Sequence, residues 1–161
     1  DLGGGSCELA VGAPSSGPSW VRSLDIGALR VTRALLAGDA PSRKRIQKAR
    51  DEICRLMAEL DAPRPDAALA VGGTARALGR IVGRRFGVGL LDELTMTFSD
   101  TPAESLTHDY GITAERAQTL LGGTLVLAEI ARHLDTQLEV GRGGLREGAA
   151  LAIARAAALA A

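Results

Sequence analysis

Asp1-Leu2-Gly3-Gly4-Gly5-Ser6-Cys7-Glu8-Leu9 opens the chain and is its most informative stretch. Three consecutive glycines admit backbone conformations closed to other residues. They also let main-chain N–H groups turn toward an anion without side-chain obstruction. The Ser6 hydroxyl beside them adds a neutral donor. Asp1 and Glu8 repel a phosphate on their own, but they fit such a site when a divalent cation stands between them and the phosphate oxygens. The physical reading is a phosphate-plus-magnesium site; the plain alternative is a tight turn between strands. On these nine residues alone both stay open.

Two further glycine-bearing turns open onto helices. Gly72-Gly73-Thr74-Ala75-Arg76 follows the apolar run 67–71, which reads as a buried strand. A strand passing into a helix leaves free N–H groups at the positive end of the helix dipole, and Arg76 supplies a charged donor there. Gly141-Arg142-Gly143-Gly144-Leu145-Arg146-Glu147-Gly148 repeats the arrangement, with Arg146 and Glu147 placed to cap or brace the turn.

Between these turns the pattern alternates. Residues 7–11 and 20–25 read as strands around a turn at 12–18, and a short helix runs over 27–36 until 38–41 stop it. Ser42 precedes the clearest helix, in which Ile46, Ala49, Ile53, Leu56 and Leu60 form one apolar stripe and Asp51 and Arg55 an i,i+4 pair. A helix over 75–84 follows the strand at 67–71. Past Gly89 the chain is less regular until a helix opens at Thr101-Pro102 and stops at Gly111. Thr113 caps a long apolar helix reaching Leu134, in which Gly122-Gly123 costs about 1 kcal/mol per glycine against alanine and marks close approach of another backbone. A strand at 138–140 and an alanine-rich final helix complete an α/β domain with a mixed sheet.

Composition narrows the function classes. The 161 residues suffice for one domain with its own core, and 19 basic residues cancel 19 acidic ones, so no global field draws the chain to nucleic acid or anionic lipid. Trp20, Phe86, Phe98 and Tyr110 are the only aromatics, too few for a base-stacking platform. The apolar runs are too short for a membrane span, and no leader pattern precedes the first strand. Cys7 and Cys54 form neither a disulfide framework nor a zinc site and read as reduced, packed thiols of a cytoplasmic protein. His108 and His133 have no triad partner in view, and Ser15 and Ser16 lack a nucleophile-elbow context. Arg43, Lys44, Arg45, Lys48 and Arg50 suggest a track for a polyanion, which Arg80, Arg84 and Arg85 could extend. Solvated charge on the wet face of a helix is the simpler reading of both groups.

In order, DLGGGSCEL (1–9), SLDIGALRVT (23–32), GGTARALGRI (72–81), LLGGTLVLAEI (120–130) and GLREG (144–148) resemble the second domain of the exopolyphosphatase / guanosine pentaphosphate phosphohydrolase (Ppx/GppA) family, from residue 1 to about 151. The resemblance implies an actin-like, ribonuclease-H-like fold of two domains around a cleft. It implies magnesium-dependent removal, by water, of the terminal phosphate of inorganic polyphosphate or the 5′ γ-phosphate of guanosine pentaphosphate. Gly3, Gly4, Gly5 and Ser6 would hold the terminal phosphate, and Asp1 and Glu8 would face Mg2+. Gly72, Gly73 and Thr74 match the turn where actin-like kinases hold adenosine, with Arg76 beside it. The family's first domain carries the other phosphate loop and the glutamate that orients the attacking water. The sequence, which does not begin with Met, therefore reads as the second domain of a longer protein (1–161), inactive alone, from a family that commonly forms homodimers. Cys7 stands where the family usually has threonine, and Arg142-Gly143 replaces a more usual Asp-Arg. A phosphate-binding module without catalysis, or a fragment of an actin-like sugar kinase or chaperone, are the alternatives; GLREG argues against the last.

Overall fold

Residues 1–24 fold back on themselves twice. The computed structural model describes residues 1–38 and 40–159 and, of Leu145, Arg146 and Leu159, the main chain only. Asp39, expected in the stop after the first helix, and the expected bracing by Arg146 lie outside the described residues. β1 (Cys7–Ala13) pairs antiparallel with β2 (Gly17–Leu24), from Cys7 opposite Leu24 to Ala13 opposite Gly17, with a bulge at Val11/Gly12. Both strands outrun the sequence expectation because the turn needs only three residues, closed by Gly17 at φ 76°.

α1 (Ala28–Val31) continues as a π-helical turn over Thr32–Leu36, where an unbroken helix was expected. α2 (Arg43–Met57) starts after Ser42 as its N-cap position, although the serine side chain makes no capping bond. Its buried stripe is Ile46, Ala49, Ile53 and Met57, with Leu56 half-buried. The expected Asp51–Arg55 pair is not made: Arg55 is held three residues back by Glu52 at 2.7 Å, while Asp51 accepts from Gln47. β3 (Ala68–Ala70) leads into α3 (Gly73–Val82). Its central Leu69 is 68% exposed, so the run is not the fully buried strand its composition suggested.

β4 (Arg85–Phe86) and α4 (Val88–Ser99) occupy the stretch whose sequence pattern is irregular; Leu91, Leu94 and Phe98 form α4's buried side. α5 (Ala103–Tyr110) ends at Gly111 in the left-handed conformation. α6 (Ala114–Leu134) is capped by Thr113, whose side chain accepts from the Arg116 amide at 3.3 Å. β5 (Leu138–Val140) and α7 (Leu145–Leu159) close the chain.

β5 lies between β3, to which it is parallel, and β4, to which it is antiparallel. Leu2 joins this mixed sheet to the hairpin: it bridges Cys7 in antiparallel sense and Gly72 in parallel sense, and its amide donates to Val71 O at 3.1 Å. The order across the sheet is thus β2, β1, Leu2, β3, β5, β4. Beyond that rung, β1 and β3 border an apolar groove of about 620 Å³ lined by Leu9, Val11, Leu69, Leu127 and Ile130. Helix α6 is the centre of the core, buried at every position from Leu120 to Ala131, and α1 to α5 pack around it. Each fully buried leucine there contributes about 1.5–3 kcal/mol of burial free energy. One ionic ring ties α2, α4 and α6: Arg50 and Arg132 each contact both Asp92 and the buried Glu129 at 2.7–3.2 Å. No helix among the described residues is long and apolar enough to cross a membrane.

Candidate functional site

The opening segment forms a tight hairpin with Gly4 and Gly5 at its tip. Gly3 N donates to Ser6 O at 3.1 Å. Asp1 and Glu8 exchange both main-chain bonds, at 2.7 and 2.9 Å. Side chains alternate along a strand, and directly opposed residues share a face. Leu2 and Cys7 therefore go to one face, where both are buried, and Asp1, Ser6 and Glu8 to the other. Burial pushes the Cys7 thiol up to about 11, and the residue is a packing group of the core.

None of Gly3, Gly4 and Gly5 has positive φ; a Cβ would stand 3.3 Å from Ser6 O at Gly3, in ordinary contact with Leu29 at Gly4 and in open space at Gly5. The start of α1 docks onto them: Ala28 N donates to Gly3 O (2.9 Å), Arg30 N to Gly4 O (3.0 Å) and Gly27 N to Gly5 O (3.3 Å). A Cβ on Gly27 would overlap the Gly4 and Gly5 main chain. In a trans peptide the C=O and the following N–H point in opposite directions. With the three carbonyls turned to α1, the amides of Gly4, Gly5 and Ser6 point away from it, and none has a main-chain acceptor among the described residues. Three consecutive free N–H groups are the arrangement a main-chain nest offers to an anion.

Glu8 accepts from Ser23 Oγ at 2.9 Å and from the Ser6 side chain. These bonds, Ser6 first, hold its carboxyl below the usual range. The two carboxylates of Asp1 and Glu8 stem from a hydrogen-bonded pair, about 5.5 Å apart at Cα, on the face that also carries Ser6. Hard oxygen donors, one held ionised, on one face are of the donor type that Mg2+ takes.

The second turn abuts the first. Gly72 has φ 104°, and a Cβ on it would overlap the Leu2 carbonyl; Asp1 Oδ1 stands 3.2 Å from the same point, between the two turns. Thr74, expected to bind the anion, is wholly buried against Gly123 of α6, while Arg76 is exposed. Sequence reading missed Arg116. Its guanidinium lies against Gly73, where a Cβ would overlap it, and makes long contacts to the Thr74 and Thr119 hydroxyls (3.5 and 3.4 Å). Burial, then Arg76 and Arg80, lower its pKa, and none of the three arginines has a carboxylate partner among the described residues. The available signal was spacing: Arg116 and Gly123 are two helical turns apart and share a face.

The other candidates separate from the site. Arg84 and Arg85 are bound to Glu139, and Arg84 also to Val140 O, which removes them from any track. At the third turn Glu147 accepts from Gly144 N at 2.9 Å, the expected cap. His108 is exposed and bonded to Asp109. Cys54 is exposed, not packed, and its thiol donates to Glu129 at 3.3 Å.

Known proteins share this fold. Exopolyphosphatase 1 of Mycobacterium leprae is 33% identical over 165 aligned residues, covering 92% of this chain and 48% of the relative; Exopolyphosphatase 1 of Mycobacterium tuberculosis gives the same values. The chain spans about half the length of the curated relatives it matches. Among solved structures, the Aquifex aeolicus member of the Ppx/GppA family superposes with a TM-score of 0.86 at 23% identity, over 95% of this chain and 54% of that one. An exopolyphosphatase from Cytophaga hutchinsonii gives 0.76 at 16%, over 91% and 53%. The shared fold is the actin-like ATPase fold, a mixed α/β sheet flanked by helices. The model of the Ppx/GppA phosphatase family matches residues 1–156, and the chain belongs to that family.

Proposed function

We propose that the polypeptide containing this chain hydrolyses the terminal phosphoanhydride bond of inorganic polyphosphate with Mg2+, and that this chain supplies the second phosphate-binding wall of the cleft. The observation that carries the reading is the row of free amides at Gly4, Gly5 and Ser6 beside the paired carboxylates of Asp1 and Glu8. Water forms a bond to the terminal phosphorus, the bridging P–O bond breaks, and orthophosphate leaves a chain one phosphate shorter. The amides of Gly4, Gly5 and Ser6 donate to the phosphate oxygens as charge shifts along the line of attack, while the Ser6 hydroxyl is given to Glu8. Asp1 and Glu8 would hold the magnesium, which when bound neutralises charge on those oxygens. Ser6 and Ser23 keep Glu8 ionised for that task. The group that aligns the water belongs to the part of the polypeptide outside this chain, so the chain alone binds without turnover.

Guanosine pentaphosphate is the second reading, favoured by the anion-binding character of Gly72, Gly73, Arg76 and Arg116 next to the first turn. Calorimetric titration of tripolyphosphate and of guanosine pentaphosphate, with and without magnesium, tests both. Magnesium-dependent binding that the Gly4→Val/Ser6→Ala variant abolishes supports the loop's role, and binding indifferent to that variant sinks it. Tight binding of the nucleotide alone selects the second reading.

A further inference from the structure

The cations of this neutral chain are not evenly spread. Between Arg33 and Lys48 the sequence holds five of them, Arg33, Arg43, Lys44, Arg45 and Lys48, against a single carboxylate, Asp39. All five are exposed, and none has a carboxylate partner among the described residues. By contrast Arg50, Arg55, Arg84, Arg85 and Arg132 are each paired. The nearest acids on α2 are already engaged, Asp51 by Gln47 and Glu52 by Arg55. Nor is there an acidic residue in the first turn of α2, where one would offset both the cations and the helix dipole.

The patch connects physically to the glycine loop. Arg30, at the start of α1, donates from its main chain to Gly4 O and from Nε to Gly5 O at 2.8 Å. Arg33 is one turn further along the same exposed side. The chain then turns, and Arg45 Nη1 donates to Ala37 O at 2.6 Å, pinning the beginning of α2 to the end of the π-helical turn. The unpaired cations thus follow the element on which the loop's carbonyls rest.

We infer that Arg33, Arg43, Lys44 and Lys48 form a docking track for the body of a long condensed phosphate whose terminal group sits in the Gly3–Ser6 loop. This rests on the polyphosphate reading above. A polyanion with a charge on every unit gains from a row of flexible, unpaired cations without needing fixed geometry, and that gain is screened by salt. A nucleic acid is the less suited polyanion, since none of the aromatic residues on which bases would stack lies in the patch.

The test compares tripolyphosphate, a long-chain polyphosphate and a single-stranded oligonucleotide, titrated calorimetrically into the full chain at two salt concentrations. The variants are Arg43→Gln/Lys44→Gln/Lys48→Gln and the charge-keeping Arg43→Lys/Lys44→Arg, each checked for folding by circular dichroism. We expect the long chain to bind more tightly per end than tripolyphosphate. The neutralised variant should bind it roughly tenfold more weakly, with a salt slope smaller by about 2, while the charge-keeping variant behaves as wild type. Tripolyphosphate affinity should stay within about twofold in both variants. Equal long-chain affinity in the neutralised variant overturns the track, as does an oligonucleotide that binds as tightly as polyphosphate. If tripolyphosphate binding ignores Gly4→Val/Ser6→Ala, the loop reading itself has failed, whatever the patch does.

Discussion

Gly72 carries two constraints at one Cα. Its φ of 104° disfavours any side chain, and the Leu2 carbonyl occupies the space a Cβ would need. Gly72→Ala should cost about 1–3 kcal/mol of stability for the backbone alone, and more for the overlap, measured by urea denaturation. Cys7 makes a different prediction. Its folded pKa of about 11 lies above its ordinary value of 9.0 because burial disfavours the thiolate. Its contribution is therefore complete below pH 9 and lost as pH rises toward 11, a fall of roughly 2–3 kcal/mol. Cys7→Ala should remove that alkaline component, visible as parallel rather than converging melting curves from pH 8 to 11. In the folded chain a thiol reagent at pH 8 should label the exposed Cys54 and leave Cys7 until the chain unfolds.

At the scale of elements, the glycine pair in α6 decides how close its neighbours come. A Cβ on Gly122 would overlap the Thr32 hydroxyl and stand 3.0 Å from Ala28 O, and one on Gly123 would overlap the Thr74 side chain. Alanine at 123 gains about 1 kcal/mol of helix propensity but pushes α3's first turn away at a cost of about 1–3 kcal/mol. Overpacking wins, so Gly123→Ala should lower the melting temperature and weaken anion binding at Gly72–Arg76; a melt and a phosphate titration check both. The pair was readable in the sequence as a site of close approach, because glycine weakens an apolar helix unless a neighbour needs the space its missing side chain leaves. Thr113 and Gly111 announced α6 and the end of α5 through cap chemistry that acts locally. By contrast α4 carries Leu91, Leu94 and Phe98 at helical spacing, but Leu90 and Met96 off that stripe blur the period, and packing on α6 holds the helix. The π-helical turn was equally hidden, since one extra residue per turn leaves little trace in composition. In the site, Gly3–Ser6 and Gly72–Gly73 were legible as glycine turns; Arg116 was not, because tertiary packing brings it over Gly73.

For the whole molecule, net charge and local charge tell different stories: the balance is zero, yet one end of α2 is strongly cationic and the ionic ring of Arg50, Asp92, Arg132 and Glu129 is self-contained. The two halves of the sheet are likewise joined sparingly. Among the described residues, Leu2 provides the only main-chain bridges between the hairpin and the β3–β5–β4 sheet. That rung is a hinge pin shared by two doors. Its amide is fastened to Val71 and its carbonyl lies against Gly72, while the next residue begins the glycine loop. Strain applied at either turn reaches the other through this peptide group as well as through the packing on α6, so occupancy of one should alter affinity at the other, by the same factor in both directions. The Leu2 amide is the gauge: its hydrogen exchange should slow when a phosphate fills the glycine loop, and slow further when an anion settles over Arg116. An unchanged rate would mean that the two turns work independently.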